Sequence, residues 1–186
     1  MSDLTIDFRQ ALDEVRSSSA GGAPFLIAYG VTFILTGIVA YFLPRETSAL
    51  IAMFQGGVAL PVAFQLEKIM GNGRMSADNP LKSLSAYLAF SQSMAIPFLI
   101  VVYNIDPRQV PVTMAGLGGV HFLPYAWLHR TRIYAVVGFL IAVGSFGLIL
   151  FLQTSAYEVI LIFVGVIYLV AAPLVNRHSR SRVFQP

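Results

Sequence analysis

Residues 133–152 read IYAVVGFLIAVGSFGLILFL, twenty residues without one Asp, Glu, Lys or Arg. At about 1.5 Å per residue, such a run forms a helix about 30 Å long, the thickness of a bilayer's hydrocarbon layer. Three residues later a second run, AYEVILIFVGVIYLVAAPL at 156–174, carries a single acidic residue near its start. So short a connection makes the two runs an antiparallel hairpin. Working outward, comparable runs occupy 23–43, 47–66, 84–104 and 110–128. The expectation is an all-α integral membrane bundle of six transmembrane helices. Pro61, Pro97, Pro124 and Pro173 fall inside these runs, where neighbouring helices can satisfy the carbonyls that a proline frees.

The composition agrees. Of 186 residues, 56% are hydrophobic and 11% charged, and the mean hydropathy is +0.73. A soluble domain carries roughly twice that charged fraction. The chain has no cysteine, which excludes disulfides, thiolate metal sites and a cysteine nucleophile. The net charge of +3 does not point to nucleic acid, because the basic residues flank apolar runs and do not form one patch.

Ahead of the first span, residues 2–16 form an amphipathic pattern. Leu4, Phe8, Ala11, Leu12 and Val15 share one helical face, and Asp7, Gln10, Asp13 and Glu14 the other. The apolar face is expected on the membrane interface or on the protein's own cytoplasmic side. The acids make the segment unlike a secretory signal and argue against its recognising anionic lipid. Ser17 to Gly22 reads as a flexible joint. The organisation is thus a helix and joint at 1–22, a transmembrane domain at 23–176 and a basic tail at 177–186.

Six spans put Arg9, Arg16, Lys68, Arg74, Lys82, Arg130, Arg132, Arg177, Arg180 and Arg182 on one side, and only Arg45 and Arg108 on the other. Ten against two is a positive-inside bias that places both termini in the cytoplasm.

A shift of 63 positions pairs Pro44-Arg45 with Pro107-Arg108, Ala52 with Ala115, Gly56 with Gly119, Leu60-Pro61 with Leu123-Pro124, and Ala63 with Ala126. These seven identities suggest a duplicated helical hairpin, with spans 5 and 6 as a worn third copy. Such copies share one orientation, an arrangement found around central pathways and also without any pathway.

His121 breaks this repeat, standing opposite Val58. Eleven residues into its span, it lies about 16 Å deep. An ionisable residue there is costly and usually faces the bundle interior or a wet cavity. Tyr125 and His129 follow at successive helical turns. Gln55 and Gln92, the latter flanked by Ser91 and Ser93, reach similar depth in their spans, and Tyr29, Thr32 and Ser145 are weaker candidates. His121, Gln92, Gln55 and Tyr125 are therefore the candidate contacts for a substrate or proton. The competing reading is structural: a neutral histidine hydrogen-bonded across helices is ordinary interhelical glue. Gly56-Gly57 and Gly118-Gly119 suit close helix contact, and Trp127 suits an interfacial anchor.

No catalytic motif, nucleotide-binding glycine loop or metal-ligand spacing is present. No cofactor is implied. Three functions stay open. One is permeation of a small molecule or ion through the polar midplane. Another is binding, sensing or assembly, including with a second copy of the chain, around a structural core. The third, with least support, is an intramembrane enzyme acting on a lipid-like substrate.

The run His121-Phe122-Leu123-Pro124-Tyr125-Ala126-Trp127-Leu128, with Asn79-Pro80-Leu81 ahead of a span containing Gln92, resembles a small bacterial membrane-protein family known as a domain of unknown function. The resemblance covers most of the chain. It implies a bacterial inner-membrane location and carries no activity.

Overall fold

The computed structural model describes residues 7–71 and 75–181. It is all-helical, with no strand among the described residues. Seven helices follow one another: α1 (Phe8–Ser18), α2 (Ala20–Val39), α3 (Arg45–Met70), α4 (Lys82–Ile105), α5 (Val110–Leu128), α6 (Ile133–Leu152) and α7 (Ala156–Ser181). Five of them, α2, α3, α4, α6 and α7, are long and apolar enough to cross a membrane. The fifth helix has 19 residues but is diluted by His121, Pro111, Pro124 and its glycines.

The ends of α5 and α6 fall where the apolar runs end. Elsewhere the limits shift. The first apolar run extends to Leu43, but α2 stops at Val39 and the next residues form turns, with the Tyr41 and Phe42 amides bonded to the Ile38 and Val39 carbonyls. Pro44 then caps α3 with extended backbone. At the other end of the chain, α7 passes through Pro173 and continues to Ser181.

Prolines set the local irregularities. Pro97 has no N–H for the Ser93 carbonyl and its ring crowds that carbonyl. The turn Gln92–Ala95 is accordingly a 3-10 turn between two α-helical halves of α4.

The bundle core lies among α2, α3, α5, α6 and α7. Its most extensive interfaces are α2 with α7 and α5 with α6, and α6 also packs on α7. Each of the first two has a glycine pair at its centre. A Cβ at Gly165 would lie 2.6 Å from the Gly30 carbonyl oxygen, and one at Gly119 would lie 2.6 Å from that of Gly138. Small residues let these backbones approach directly.

By contrast α4 is peripheral. Leu99 is its one buried side chain, and Tyr87, Phe90, Met94, Phe98 and Ile105 are exposed. Such a surface is compatible with a lipid face.

At one end of the bundle, α1 lies across the helix termini. Ala11, Leu12 and Val15 pack on Leu81 and Leu128, so most of the apolar face of α1 is spent on the protein's own end, while Phe8 stays half exposed. The preceding residues of the predicted helix, Leu4 among them, lie outside the described residues. Asn79 ties the α3–α4 connection to α1: its amide donates to the Ala11 carbonyl (3.0 Å) and to Glu14 (2.9 Å), while Ser76 Oγ donates to the same carboxylate (2.7 Å). These bonds hold the Glu14 carboxyl below its ordinary range.

Ser17 to Gly22, expected as a flexible joint, is a packed corner. Gly21 and Gly22 have φ of 68° and 83°, a region that glycine tolerates best. A Cβ at Gly21 would lie 2.8 Å from the Val175 carbonyl oxygen, and the Gly21 carbonyl accepts the Tyr134 hydroxyl. The left-handed turn and the α7 backbone leave glycine as the residue that fits.

At the opposite end, Arg45 at the start of α3 pairs with Glu158 at the start of α7 (2.6 Å) and lies 4.4 Å over the Tyr157 ring. Glu158 is 5% exposed. Removing the arginine would strand a buried carboxylate, a loss partly offset by the α7 N-terminus. Arg45→Ala should therefore lower stability by about 2 kcal/mol, read as thermal unfolding in detergent. Arg45→Ala/Glu158→Gln should recover part of the loss.

Candidate functional site

Between α4 and α5 lies an open cleft of about 340 Å³, lined by Ser91, Gln92, Met94, Ala95, Phe98, Leu117, Val120 and His121. Three of these side chains are polar. Ser91 Oγ is 3.2 Å from His121 Nδ1. Ser91 Oγ also donates to the Leu88 carbonyl at 2.7 Å, so the serine proton is engaged within α4. With that proton on the carbonyl, the hydroxyl oxygen accepts from an imidazole protonated at Nδ1, which leaves Nε2 as an acceptor. Gln92 reaches over the bare backbone of Gly118: its Nε2 is 3.9 Å from where a Cβ there would stand.

Local structure explains the convergence. The 3-10 turn at Gln92–Ala95 advances about 120° per residue instead of 100°. Ser91 and Gln92, at its start, both line the cleft, and Ser93 does not.

His121 begins an aromatic series. Its ring is 5.1 Å from Tyr125, and Tyr125 stacks on His129 at 5.9 Å. His129 in turn is 5.3 Å from Tyr134. Tyr134 stacks on Phe122, which meets Tyr168 edge to face, and Tyr168 meets Phe33. The predicted stripe His121, Tyr125, His129 is thus a run of touching rings. Its continuation through Tyr134 and Tyr168 into α6 and α7 was not legible in the sequence.

Gln55 does not line the cleft. It is buried at the middle of α3, where its Oε1 accepts from Thr36 Oγ1 on α2 at 3.4 Å, and its Nε2 has no hydrogen-bond partner among the described residues. Tyr29 approaches α3 at Gly56. The Thr32 hydroxyl bonds back to the Tyr29 carbonyl. Ser145 is fully buried on α6, its hydroxyl without a partner among the described residues. Gln92 and His121 therefore share one cleft, Tyr125 joins His121 through its ring, and Gln55 belongs to a separate α2–α3 contact.

Among the described residues no group of three His, Cys, Asp or Glu side chains could hold a metal ion. The cleft can hydrogen-bond a neutral group through Ser91, Gln92 and His121, and it offers apolar contact through Phe98, Leu117 and Val120. No curated protein matches the chain, and no solved structure does. A family match runs over residues 8–177, nearly the whole of the described chain, and by it the chain belongs to the family of unknown function DUF7010.

Proposed function

We propose that this chain is a six-span protein of a bacterial inner membrane that binds a small molecule at the cleft around His121 and passes it across the bilayer. The observation that carries the reading is the joint lining of one mid-helix cleft by Ser91, Gln92 and His121. Polar side chains at such depth are otherwise expensive. The cleft opens on the flank of the bundle, which suits a small amphipathic molecule entering from the lipid better than a hydrated ion.

The sixth span would be α5, about 28 Å long and packed along α6. Orientation is argued from charge: among the described residues, eight of ten Lys and Arg belong to the segments at the α1 end of the bundle, which makes that end cytoplasmic; Arg74 and Arg182 lie outside the described residues. The recurrence of Pro61 and Pro124 in α3 and α5, each the second arm of a hairpin, fits a duplicated unit. Thin packing of α4 supplies an element able to move while α2, α5, α6 and α7 stay fixed.

The absence of cysteine makes a direct test simple. In vesicles, Leu117→Cys should react with a membrane-impermeant thiol reagent faster than Val143→Cys, which sits on the exposed apolar face of α6 at mid-helix. Equal, negligible labelling of both would remove the water-accessible cleft. In proteoliposomes screened against a panel of small solutes, His121→Ala should then lose flux that the wild type shows.

A second reading has its own observation. The Ser91–His121 bond joins α4, the least buried helix, to α5, so His121 would serve as its fastener. On that reading His121→Leu lowers thermal stability by about 1 kcal/mol and leaves flux unchanged once the protein is assembled.

A further inference from the structure

A second cleft, about 440 Å³, lies at the α1 end of the bundle, lined by Phe8 and Leu12 of α1, Ala126 and Trp127 of α5, Arg130, Thr131 and Arg132 of the α5–α6 turn, and Ala135 of α6. Its chemistry is divided. One part is apolar, with the Phe8 and Trp127 rings 6.0 Å apart. The other part is basic. Arg130 and Arg132 are exposed, no lining residue is acidic, and neither arginine has an ion pair among the described residues.

The turn itself is unusual. The Thr131 amide bonds to the Ala126 carbonyl and the Arg130 amide to that of Trp127, which is the Schellman pattern of helix termination. Its left-handed position normally takes glycine. Here Arg130 occupies it, at φ of 50°. A side chain there costs conformational energy that glycine would avoid, and this arginine projects from the rim of the cleft. Next to it, Arg132 is the residue from which α6 starts, so the positive end of that helix faces the same cleft.

We propose that this cleft is a binding site for one anionic phospholipid, with the phosphate held by Arg130 and Arg132 at the start of α6 and an acyl chain lying against Trp127, Phe8 and Ala135. The ligand must be amphipathic because the lining is, and anionic because both charged groups are guanidinium, which suits phosphate geometry. The site rests on the membrane reading above, since it needs the α1 end of the bundle to lie at headgroup height. It does not depend on the His121 cleft or on transport.

The test uses the full chain purified in detergent, with phosphatidylglycerol or phosphatidylcholine added. Thermal unfolding and native mass spectrometry read binding. Phosphatidylglycerol should be retained and should raise the wild-type Tm, while phosphatidylcholine should not. Arg130→Gly/Arg132→Gln should weaken phosphatidylglycerol binding about thirtyfold, on the scale of two arginine–headgroup contacts. The glycine restores the ordinary turn residue, so Arg130→Gly alone should be at least as stable as wild type without lipid while binding less lipid. Ala135→Phe, which fills the cleft and keeps every charge, should also lose retention. Arg108→Gln, at the other end of the bundle, should not. Equal retention of the two lipids, or an equal loss with Arg108→Gln, would overturn the site. Protection by inorganic phosphate alone at the same concentration would overturn the lipid as its occupant. A chain that fails to stay with vesicle membranes would instead refute the membrane reading.

Discussion

Gly119→Leu should prevent accumulation of the folded protein, or lower its stability by about 3 kcal/mol or more, at the upper end of what overpacking costs. At this position the helices meet backbone to backbone. A Cβ would stand 2.6 Å from the Gly138 carbonyl oxygen and 2.7 Å from the Ala142 Cβ, and no rotamer change relieves a clash with a main-chain atom. The reciprocal substitution is as severe, since a Cβ at Gly138 would lie 2.5 Å from the Gly119 carbonyl oxygen. Separating α5 from α6 would also pull apart Phe122 and Tyr134, stacked at 5.6 Å. Gly57 and Gly116, with nothing within 4 Å of an added Cβ, are the matched controls. Gly57→Ala and Gly116→Ala should be neutral or slightly stabilising, because alanine favours a helix by up to about 1 kcal/mol over glycine. Thermal unfolding of the set in one detergent checks the ranking. If Gly119→Leu unfolds with Gly116→Ala, the close crossing does not govern the fold.

That contrast marks how far the sequence could be read. Helix existence was legible because uncharged runs of helical length have few other uses. The start of α5 and the break between α5 and α6 were legible because Pro107, Pro111 and the Arg130-Thr131-Arg132 turn punctuate them. Residues 40–43 were misplaced for a physical reason: hydropathy measures compatibility with lipid, not helical hydrogen bonding, and Ala40, Tyr41, Phe42 and Leu43 remain apolar after α2 has ended. The glycine pairs were invisible as pairs. Gly56-Gly57 and Gly118-Gly119 look alike in the chain, yet only the second doublet is buried, because contact depends on which face the neighbour presents.

The candidate site divides in the same way. His121 stood out because an ionisable group at mid-span demands an explanation. Its partner Ser91 did not, since Ser91, Gln92 and Ser93 are consecutive and the facing residue is decided by a helical phase that the 3-10 turn resets. Gln55 and Gln92 stand equally far into α3 and α4, but position along a helix is one coordinate of three. Gln55 turns toward Thr36 and away from the cleft. Tyr134 and Tyr168 gave no signal, because tyrosine is unremarkable in a membrane helix. Asn79-Pro80-Leu81, quoted only as part of a resemblance, proves to be the latch on α1: the asparagine bonds Ala11 and Glu14, and Leu81 packs under the same helix.

Acidification should release that helix, and His129 should be the group responsible. His129 caps α5 beneath α1, 3% exposed, stacked on Tyr125 and next to Tyr134, with Nδ1 lacking a hydrogen-bond partner among the described residues. Burial above all, then the nearby charges of Arg16 and His178, lowers its pKa from 6.5 to about 4. The unfolded chain therefore binds a proton at His129 at a higher pH than the folded one. Above pH 6.5 both states are neutral there and the residue contributes no pH dependence. As pH falls from 6.5 toward 4, the folded state loses stability, by up to about 3 kcal/mol over that window. Arg16 is itself buried at 2% and pairs with Asp13 at 2.9 Å, so a new imidazolium would arise beside an existing cation with little water to screen it. His129→Gln preserves polarity and cannot titrate. Its unfolding temperature should decline less than that of wild type between pH 6.5 and 4, while contributions common to both proteins, that of Glu14 among them, cancel in the difference. Hydrogen exchange locates the event: in wild type at low pH the α1 amides should lose protection before those of α6. Parallel stability curves for the two proteins would remove His129 as the origin, and simultaneous loss of protection in α1 and α6 would mean that acid unfolds the bundle as a whole.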